Sequence, residues 1–331
     1  MTTPVHVILN PRAGDGAGRR VRPELERELG RRGIAFAIEE TERPGHAVEL
    51  ARAAAARGAP VVVAAGGDGT IHEVANGLLQ ARDDGNPART ALGIVPIGTG
   101  NDFIKAVMGG TDRRHAYDAL AAGCTRAIDI GRAEWEGGAE YFVNGVGTGI
   151  DVEVVRQMRR FPRLHGLVSY LVALVRALVG FHAIPLRIRM DGERTERKVM
   201  IIAVGNGHCL GGGFYVCPEA KPDDGLLDVC IVNELNLLQI ARVLPRILRG
   251  THAGMPKVTL RRAEEVEISG TGTAPLFFQL DGELREPEGA RHLRVSVEPG
   301  ALRVVARAVG ATPGAGAADC APAAAAGGRG A

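Results

Sequence analysis

The sequence predicts an α/β domain followed by a second, β-rich domain. Up to residue 128, short apolar strands alternate with amphipathic helices, whereas after about Asp129 short strand candidates follow one another with turn residues between them. Continuous apolar strands between helices are typical of a parallel sheet covered on both faces. The length of 331 residues also suits two domains.

Four strand–helix pairs make up the predicted first domain, residues 1–128. In the first helix Val21, Leu25 and Leu29 recur every four residues, which places them on one face. The strands are "VHVILN", "AFAIEET", "APVVVAA" and "ALGIVPI", and the helices are "GRRVRPELERELGRRG", "GHAVELARAAAARG", "IHEVANGLLQA" and "NDFIKAV".

The predicted second domain, residues 129–291, resembles a β-sandwich or an open barrel in its pattern of short strands. Helical patterns interrupt the strands at Val152 to Phe181 and at "NLLQIARVLPRIL". The tail, residues 310–331, is rich in Ala, Gly and Pro, so we expect it to be disordered. The strand candidates are "AIDIGRAEW", "AEYFVNGVG", "PLRIRMDG", "ERKVMIIAVGNG", "LLDVCIVN", "KVTLRRAEEVEISG", "PLFFQLDGE" and "HLRVSVEPGALRVVA".

Composition argues against nucleic acid as a partner. Lys and Arg number 40 and Asp and Glu number 38, which gives a net charge of +2 and no basic excess to neutralise phosphates. Five cysteines without a C-x-x-C pair, and an N-terminus without a signal-peptide pattern, favour a cytoplasmic protein with free thiols. His165 and Arg176 interrupt the apolar stretch Leu164 to Phe181, and the uninterrupted run Gly166–Val175 is too short to span a bilayer, so we expect at most peripheral membrane contact.

Three predicted strands of the first domain end in glycine-rich turns: "NPRAGDGAG", "GGDGT" and "PIGTGND". In an open α/β sheet, ligands bind beyond the carboxyl ends of the strands, and the N–H groups of the next helix favour anions. One such turn is more simply a tight connection, but three at one sheet edge predict a site for a nucleotide triphosphate. Neither a P-loop nor a complete G-x-G-x-x-G fingerprint is present.

Asp68 indicates that a cation accompanies the phosphates. A carboxylate beside phosphate is repelled unless a metal lies between them, and Mg²⁺ is the ion that usually accompanies nucleotides. An Asx-type turn is the alternative for Asp68. For Thr70 and Glu73 the alternative is a capping box at the start of the helix.

Four blocks, "NPRAG", "GGDGTIHEVANGL", "PIGTGNDF" and "LDGE", together resemble the diacylglycerol kinase catalytic family, lipid kinases that include bacterial diacylglycerol kinases and sphingosine kinases. The resemblance covers about Val5 to Ala308; GGDG alone also resembles phosphofructokinases and NAD kinases. It implies an N-terminal nucleotide domain of the NAD kinase and phosphofructokinase kind and a β-sandwich-like second domain, with the active site in the cleft between them. It also implies that residues 292–309 return to the first domain.

The resemblance implies that the glycine turns and their neighbours bind ATP and a metal. For Thr41 an ordinary helix cap is the alternative. Where many relatives carry a hydroxyl residue, this chain has Gly100. The implied nucleotide-site residues are Asn10, Pro11, Gly14, Thr41, Gly66, Gly67, Asp68, Gly69, Thr70, Glu73, Thr99, Asn101 and Asp102.

A second Mg²⁺ site follows from the resemblance of "PEAKPDDGLLDV" to a family segment. Asp224 and the backbone carbonyls of Lys221 and Leu226 are the implied ligands of a structural ion. Read by itself, the segment is a D-D-G hairpin turn.

The acids of "FFQLDGELRE" are the catalytic candidates of the second domain. Asp281 and Glu283 are two residues apart, and such side chains share a face on a strand. The resemblance implies that Glu283 accepts the substrate proton with Asp281 close by, while Asp68 acts from the first domain. Turn acids on a hairpin are the alternative.

These features predict an ATP- and Mg²⁺-dependent lipid kinase, with diacylglycerol as the first acceptor to consider and phosphatidic acid as its product. A kinase of a soluble metabolite, or a lipid-binding protein without catalysis, are the alternatives. The stretch 161–181 is either core or an acyl-chain and membrane contact with arginines at its edges. The acceptor lipid and the oligomeric state stay open, a homodimer included.

Overall fold

The computed structural model describes residues 4–86, 90–160, 166–306 and 321–322. The chain divides into two compact units: the first comprises residues 1–128 with 300–331, and the second comprises residues 129–299. Apart from Ala321–Pro322, the predicted disordered tail at 310–331 lies outside the described residues. Cys217 and Cys230 are buried free thiols.

The first unit contains a parallel sheet of four strands. Their order across the sheet is β2–β1–β3–β4, with His6 aligned with Val62 and Val62 with Leu92. The strands are β1 (Val5–Leu9), β2 (Phe36–Glu40), β3 (Val61–Gly66) and β4 (Ala91–Pro96). Strands β3 and β4 are buried along their whole length, which explains their uninterrupted apolar sequences.

Five helices follow the strands of the first unit. They are α1 (Ala13–Arg31), α2 (His46–Ala56), α3 (Asp68–Asp83), α4 (Asp102–Met108) and α5 (Arg113–Ala122). Val21, Leu25 and Leu29 of α1 are buried against the sheet in one core, as their spacing predicts. Helix α5 has no counterpart among the predicted helices, although Asp112 caps its start and Gly123 ends it with a left-handed residue.

The second unit is built mainly from antiparallel strands. Strand β9 is central and pairs with β7, β8 and β10, while β11 pairs with β10 and β12 with β8. The strands are β5 (Cys124–Trp135), β6 (Gly138–Phe142), β7 (Gly145–Gly149), β8 (Ile184–Met190), β9 (Glu193–Gly205), β10 (Leu227–Asn233), β11 (Val258–Ala263), β12 (Glu265–Gly270), β13 (Phe278–Leu280), β14 (Glu283–Arg285) and β15 (His292–Val305), and a two-residue β16 (Ala321–Pro322) pairs with β5.

Two long strands serve both units. Strand β5 begins in the first unit and continues into the second, and β15 contributes residues 292–299 to the second unit and 300–305 to the first. In the first unit Val304 of β15 aligns with Leu92 of β4 in a parallel pair. The first unit is therefore assembled from two separate parts of the chain.

The α/β fold class is confirmed, with local differences from the sequence prediction. The candidates "AEYFVNGVG", "KVTLRRAEEVEISG" and "PLFFQLDGE" each form two strands. The predicted helix over 152–181 is α6 (Ile150–Arg160) and α7 (Gly166–Leu178), and 161–165 lie outside the described residues. Helix α8 (Leu237–Ile247) begins at a capping box of Asn236 and Gln239. In the described part of the chain, no helix has the length and apolar character needed to cross a membrane.

Gly131 of β5 provides a test of packing in the second unit. A Cβ atom there would lie 1.9 Å from the ring of Phe142, which is fully buried. Gly131→Ala should therefore lower the free energy of unfolding by about 1–3 kcal/mol through overpacking. The readout is urea denaturation followed by the fluorescence of Trp135, the single tryptophan, which contacts the ring of Phe278.

Gly270→Ala is the matched control in the same unit. A Cβ atom at Gly270 would meet only the Ala274 oxygen, at 3.8 Å, so the free energy should change by no more than about 0.5 kcal/mol. Equal urea midpoints for the two variants would contradict the packing argument.

Candidate active site

The three glycine turns of the first unit touch one another. They follow the neighbouring strands β1, β3 and β4, so all three lie at the carboxyl edge of the sheet. A Cβ atom at Gly98 would lie 2.6 Å from Cα of Gly67, and one at Gly14 would lie 2.5 Å from the Ile97 oxygen. Only glycine permits these backbone contacts, and they leave a shallow edge made largely of main-chain groups.

Hydrogen bonds fix the turns to each other. Asn10 Nδ2 donates to Thr70 Oγ1 at 3.0 Å, which ties the first turn to the start of α3. The Ile97 N–H donates to the Gly66 oxygen at 2.8 Å, which ties the third turn to the end of β3. These two hydrogen bonds thus bring the residues of the three blocks together.

Asp68, the first residue of α3, contacts the start of α4, where Asn101 is the N-cap residue. Asp68 Oδ1 accepts a long hydrogen bond of 3.5 Å from the Phe103 N–H, and Asp102 is buried with its carboxylate 3.1 Å from Lys105 Nζ. Asn101 has a left-handed backbone and donates from Nδ2 to the Gly98 oxygen at 2.7 Å. Its Oδ1 atom is buried and finds no hydrogen-bond partner among the described residues, so it can accept from a ligand.

The predicted capping box of Thr70 and Glu73 is wrong. Helix α3 begins at Asp68 with Gly67 as its cap, so Thr70 lies inside the first turn and bonds to Asn10 instead. Glu73 reaches the preceding helix α2: its two carboxylate oxygens accept from the N–H groups of Gly45 and Ala47 at 2.9 and 3.1 Å. Glu73 therefore stabilises the N-terminus of α2, where a negative charge is favoured.

The remaining implied nucleotide residues lie around the same edge. Thr41 follows β2, and its N–H donates to the Leu9 oxygen; Gly45, not Thr41, caps α2. Thr99 is exposed, Pro11 is buried, and Gly69 lies in the first turn of α3.

The positively charged side chain of Arg20, which the sequence analysis did not identify, lies beside the first glycine turn. Gly14, Asp15 and Gly16 all have left-handed backbone angles, and the guanidinium of Arg20 comes within 4.0 Å of the position of a Cβ atom at Gly16. Arg20 is exposed and one helical turn beyond the glycines. A basic residue four positions after a glycine turn is the signal that could have identified it.

Asp281 is held by the backbone of the second unit. Its carboxylate accepts hydrogen bonds from the N–H groups of Val143, Asn144 and Gly145 at 2.8–2.9 Å. The expectation that Asp281 and Glu283 share a strand face is wrong, because Asp281 and Gly282 form the turn between β13 and β14. With both oxygens engaged, Asp281 orients the turn, whereas the Glu283 side chain remains exposed at the start of β14.

Glu283 forms an ion pair in the second unit. Arg159 of α6 lies 3.5 Å from its carboxylate, and both side chains are about half exposed. Exposed ion pairs of this kind contribute at most about 1 kcal/mol, so Glu283 can leave Arg159 for a substrate at little cost. Of the two acids, Glu283 is the one that can exchange a proton with a bound hydroxyl group.

The "PDDG" turn is fixed to β5. Asp129 Oδ2 accepts from the Gly225 N–H at 2.7 Å, and the Asp129 N–H donates to the Pro222 oxygen at 2.7 Å. Asp224 is exposed and accepts from the Leu226 N–H at 3.2 Å. An acid between aliphatic residues of a strand, as in "AIDIG", is the signal that could have identified Asp129.

A buried acid lies close to this turn. The pKa of Asp228 is raised to about 6, chiefly by burial; Arg262 acts in the opposite direction, and the negative charges of Asp224 and Glu219 add to the rise. Asp228 Oδ2 is buried, with no hydrogen-bond partner in the described ranges. An orphaned carboxylate oxygen beside Asp224 fits an oxygen-seeking cation held by the carbonyls of Lys221 and Leu226.

Side chains alone do not form a metal cluster. In residues 4–86, 90–160 and 166–306, no group of three His, Cys, Asp or Glu side chains has ligand geometry. A cation at either implied site would therefore take backbone oxygens, waters or phosphate oxygens as further ligands, which suits Mg²⁺.

The second unit contains an apolar cavity of about 90 Å³ between α7, α8 and the sheet. Its walls are aliphatic and aromatic side chains, with Tyr170 and Phe214 at 4.3 Å between ring centroids. An engineered protein cavity of roughly 150 Å³ with a similar lining stays dry and binds benzene. The cavity therefore suits a hydrocarbon group and not a polar metabolite.

Two family models match the chain. The "Diacylglycerol kinase catalytic domain" matches residues 4–133, and the "YegS C-terminal NAD kinase beta sandwich-like domain" matches residues 144–306. The chain is 35% identical over 303 residues to "Probable lipid kinase YegS-like" of Xanthomonas campestris pv. campestris (strain 8004), covering 90% of this chain and 94% of that protein. The chain therefore belongs to the lipid kinase family that carries a diacylglycerol kinase catalytic domain.

Other relatives agree with this assignment. "Diacylglycerol kinase" of Staphylococcus haemolyticus (strain JCSC1435) is 31% identical over 278 residues, covering 84% of this chain and 81% of that protein. A crystal structure of a diacylglycerol kinase from Bacillus anthracis str. Sterne shares the fold, with a TM-score of 0.66, 20% identity, and coverage of 92% of this chain and 96% of that chain.

The different structural roles of Asp281 and Glu283 can be tested by measuring the free energy of unfolding of variants. Asp281→Ala leaves three N–H groups without their acceptor, so the free energy of unfolding should fall by about 2–4 kcal/mol. Trp135 fluorescence during urea denaturation is the readout, since Trp135 packs on Phe278 of β13, the strand that leads into the turn of Asp281.

Glu283→Gln is the matched control. An exposed, isosteric change should alter the free energy by no more than about 0.5 kcal/mol. A fall as large as that of Asp281→Ala would show that Glu283 also supports the turn and would contradict the division of roles.

Proposed function

We propose that this protein transfers the γ-phosphoryl group of ATP to the hydroxyl group of a membrane lipid, with diacylglycerol as the preferred acceptor class. The observation that carries the lipid assignment is the apolar cavity of the second unit, which offers space for hydrocarbon and no charged wall. Family membership supports the transfer of phosphate.

The glycine edge of the first unit is the proposed site for the ATP phosphates. Contact between Gly67 and Gly98 removes side chains from the place where phosphate oxygens must approach the main chain. Arg20 supplies a positive charge beside the first turn, and Asn101 Oδ1 supplies an unused acceptor for a donor group of the nucleoside.

Mg²⁺ is proposed to join the phosphates to Asp68. The bound ion would neutralise charge that builds up on the phosphate oxygens during transfer. Asp68 is kept at this edge by its bond to the Phe103 N–H at 3.5 Å. Asp224, with the backbone oxygens of Lys221 and Leu226, is the proposed holder of a second, structural ion.

Glu283 is the proposed general base. Its carboxylate takes the proton of the lipid hydroxyl as the hydroxyl oxygen forms a bond to the γ-phosphorus, and the bond to the β-phosphate oxygen breaks to release ADP. Asp281 keeps the turn in place through its three backbone hydrogen bonds. A positioned base of this kind contributes roughly 10²–10⁴-fold to the rate.

The kinase assignment predicts the behaviour of two conservative variants. Glu283→Gln should lower kcat on dioctanoylglycerol by roughly 10²–10⁴-fold, because the amide cannot accept the proton. Asp68→Asn should lower activity and raise the Mg²⁺ concentration needed for half-maximal rate. Both are measured with labelled ATP and Mg²⁺ on mixed micelles, with Glu288→Gln, an exposed acid five residues away, as control.

The acceptor panel contains diacylglycerol, monoacylglycerol, phosphatidylglycerol, a long-chain base, NAD and a sugar phosphate. Phosphorylation of a lipid alone is the expected result. Phosphorylation of NAD or the sugar phosphate with no lipid product would overturn the lipid assignment. Lipid binding without ATP consumption in the wild type would show a binding protein instead.

We also propose that α7 and α8 dock on an anionic lipid surface. Val175 and Val179 are 62% and 82% exposed, and Leu237 and Leu238 are 76% and 69% exposed. Neither helix contains an acidic residue, and Arg242, Arg246 and Arg249 are exposed beside these apolar side chains. Exposed apolar side chains flanked by arginines match the pattern by which proteins bind anionic membranes.

The docking surface predicts a change in vesicle binding. Leu237→Ser together with Leu238→Ser should weaken sedimentation with phosphatidylserine-containing vesicles about tenfold or more, because two large apolar groups are lost. Ala241→Ser, an exposed change on the same helix, should have little effect.

The same variants distinguish a lipid surface from a contact between two copies. If the double variant changes a dimer into a monomer while vesicle binding is unchanged, the docking proposal fails. Neutral phosphatidylcholine vesicles should bind more weakly than anionic ones, and added salt should reduce the difference.

A further inference from the structure

A buried carboxyl group lies between the apolar cavity and the turn at 281–283, which we call the acidic turn. Asp151, at the start of α6, is 5% exposed. Burial raises its pKa, while hydrogen bonds from Gln279 and Tyr170 act in the opposite direction. A buried ionisable group is costly, and the mechanism above gives this one no task.

The hydrogen bonds of Asp151 join two parts of the second unit. Its Oδ1 accepts from the Tyr170 hydroxyl at 3.2 Å, and its Oδ2 accepts from Gln279 Nε2 at 2.8 Å. A Cβ atom at Gly147 would lie 2.1 Å from Oδ2, so a glycine is required there for the carboxyl group to fit. The arrangement is therefore built into the fold of β7, α6 and α7.

The chain of hydrogen bonds continues to the acidic turn. Gln279 Oε1 accepts from the Gly282 N–H at 2.6 Å, and Gly282 has a φ of 88°. Gly282 is bonded directly to Glu283, the proposed base. Both ends of the Gln279 amide are thus engaged, one with Asp151 and one with the turn.

The opposite end of this series of hydrogen bonds reaches the apolar cavity. The ring of Tyr170 is part of the cavity wall and lies against the ring of Phe214, also part of that wall. A hydrocarbon chain that fills the cavity contacts the ring whose hydroxyl group bonds to Asp151.

We propose that Asp151 is a positioning residue that, through Tyr170 and Gln279, makes the placement of the 281–283 turn depend on hydrocarbon in the cavity. The inference rests on the proposed function for its kinetic consequence, and on the hydrogen bonds for its structural one. A base displaced by about 1 Å can lose roughly 10² in rate, so a small shift of the turn is enough to favour long-chain acceptors.

The structural part is tested without catalysis, with 1-octanol as the cavity probe. Hydrogen exchange of the peptide that contains Gly282 should slow by about fivefold when octanol binds, because one hydrogen bond of the turn is strengthened. Tyr170→Phe keeps the ring and loses the hydroxyl, so it should bind octanol with no change in exchange at Gly282. Tyr215→Phe, another tyrosine of this unit, should behave as the wild type.

The kinetic part compares dioctanoylglycerol with dibutyrylglycerol. Tyr170→Phe should lower kcat on the long-chain lipid about tenfold with little change in KM, and should leave kcat on the short-chain lipid nearly unchanged. Asp151→Asn should act in the same way, because its amide has one accepting oxygen where the carboxylate has two, so the hydrogen bonds from Tyr170 and Gln279 cannot both be kept. The ratio of the two kcat values is the quantity that a general loss of stability does not change.

The outcomes separate the inference from the proposed function. Octanol that binds the wild type and leaves exchange at Gly282 unchanged would overturn the positioning role, whatever the enzyme phosphorylates. Equal loss of kcat on both lipids in Tyr170→Phe would overturn it as well. A wild type that phosphorylates no lipid contradicts the proposed function alone, since the exchange result still decides the role of Asp151.

Discussion

The acidic turn of the second unit depends on one interaction, the binding of the Asp281 carboxylate by three backbone N–H groups. Asp281 has a left-handed backbone, with φ 49°, a conformation that costs of order 1 kcal/mol outside glycine. Charge-assisted hydrogen bonds are strong enough to hold it. They hold the turn that precedes Glu283 while its side chain stays exposed, so the proposed base avoids the energetic cost of burial.

The first unit reaches a similar result by a different means. Its glycine turns contact each other through main-chain atoms, while Asn10 binds Thr70 at the start of α3 and Glu73 binds the N-terminus of α2. Both units therefore fix a set of backbone groups first and leave few side chains free for chemistry. Preorganised polar groups of this kind need little rearrangement when charge develops.

The alternation of strands and helices predicted the fold class, because each buried parallel strand has an uninterrupted apolar sequence. Local patterns could not assign Glu73 or Asp281. Glu73 caps a helix 28 residues earlier, and Asp281 binds N–H groups up to 138 residues away. A capping box and a shared strand face are interpretations from neighbouring residues only. Asp151 and Asp228 were missed because an isolated acid in a helix or strand does not reveal its partners in other elements.

The first unit is formed by two parts of the chain that are far apart in sequence, and this has a consequence for biosynthesis. Strand β4 leaves the ribosome long before residues 300–305, its parallel neighbour in β15. At about 5–20 residues per second, synthesis of the intervening residues 97–299 takes roughly 10–40 s. During that time the nascent sheet has an unpaired apolar border at Leu92, a place where chaperones or other nascent chains can pair with it.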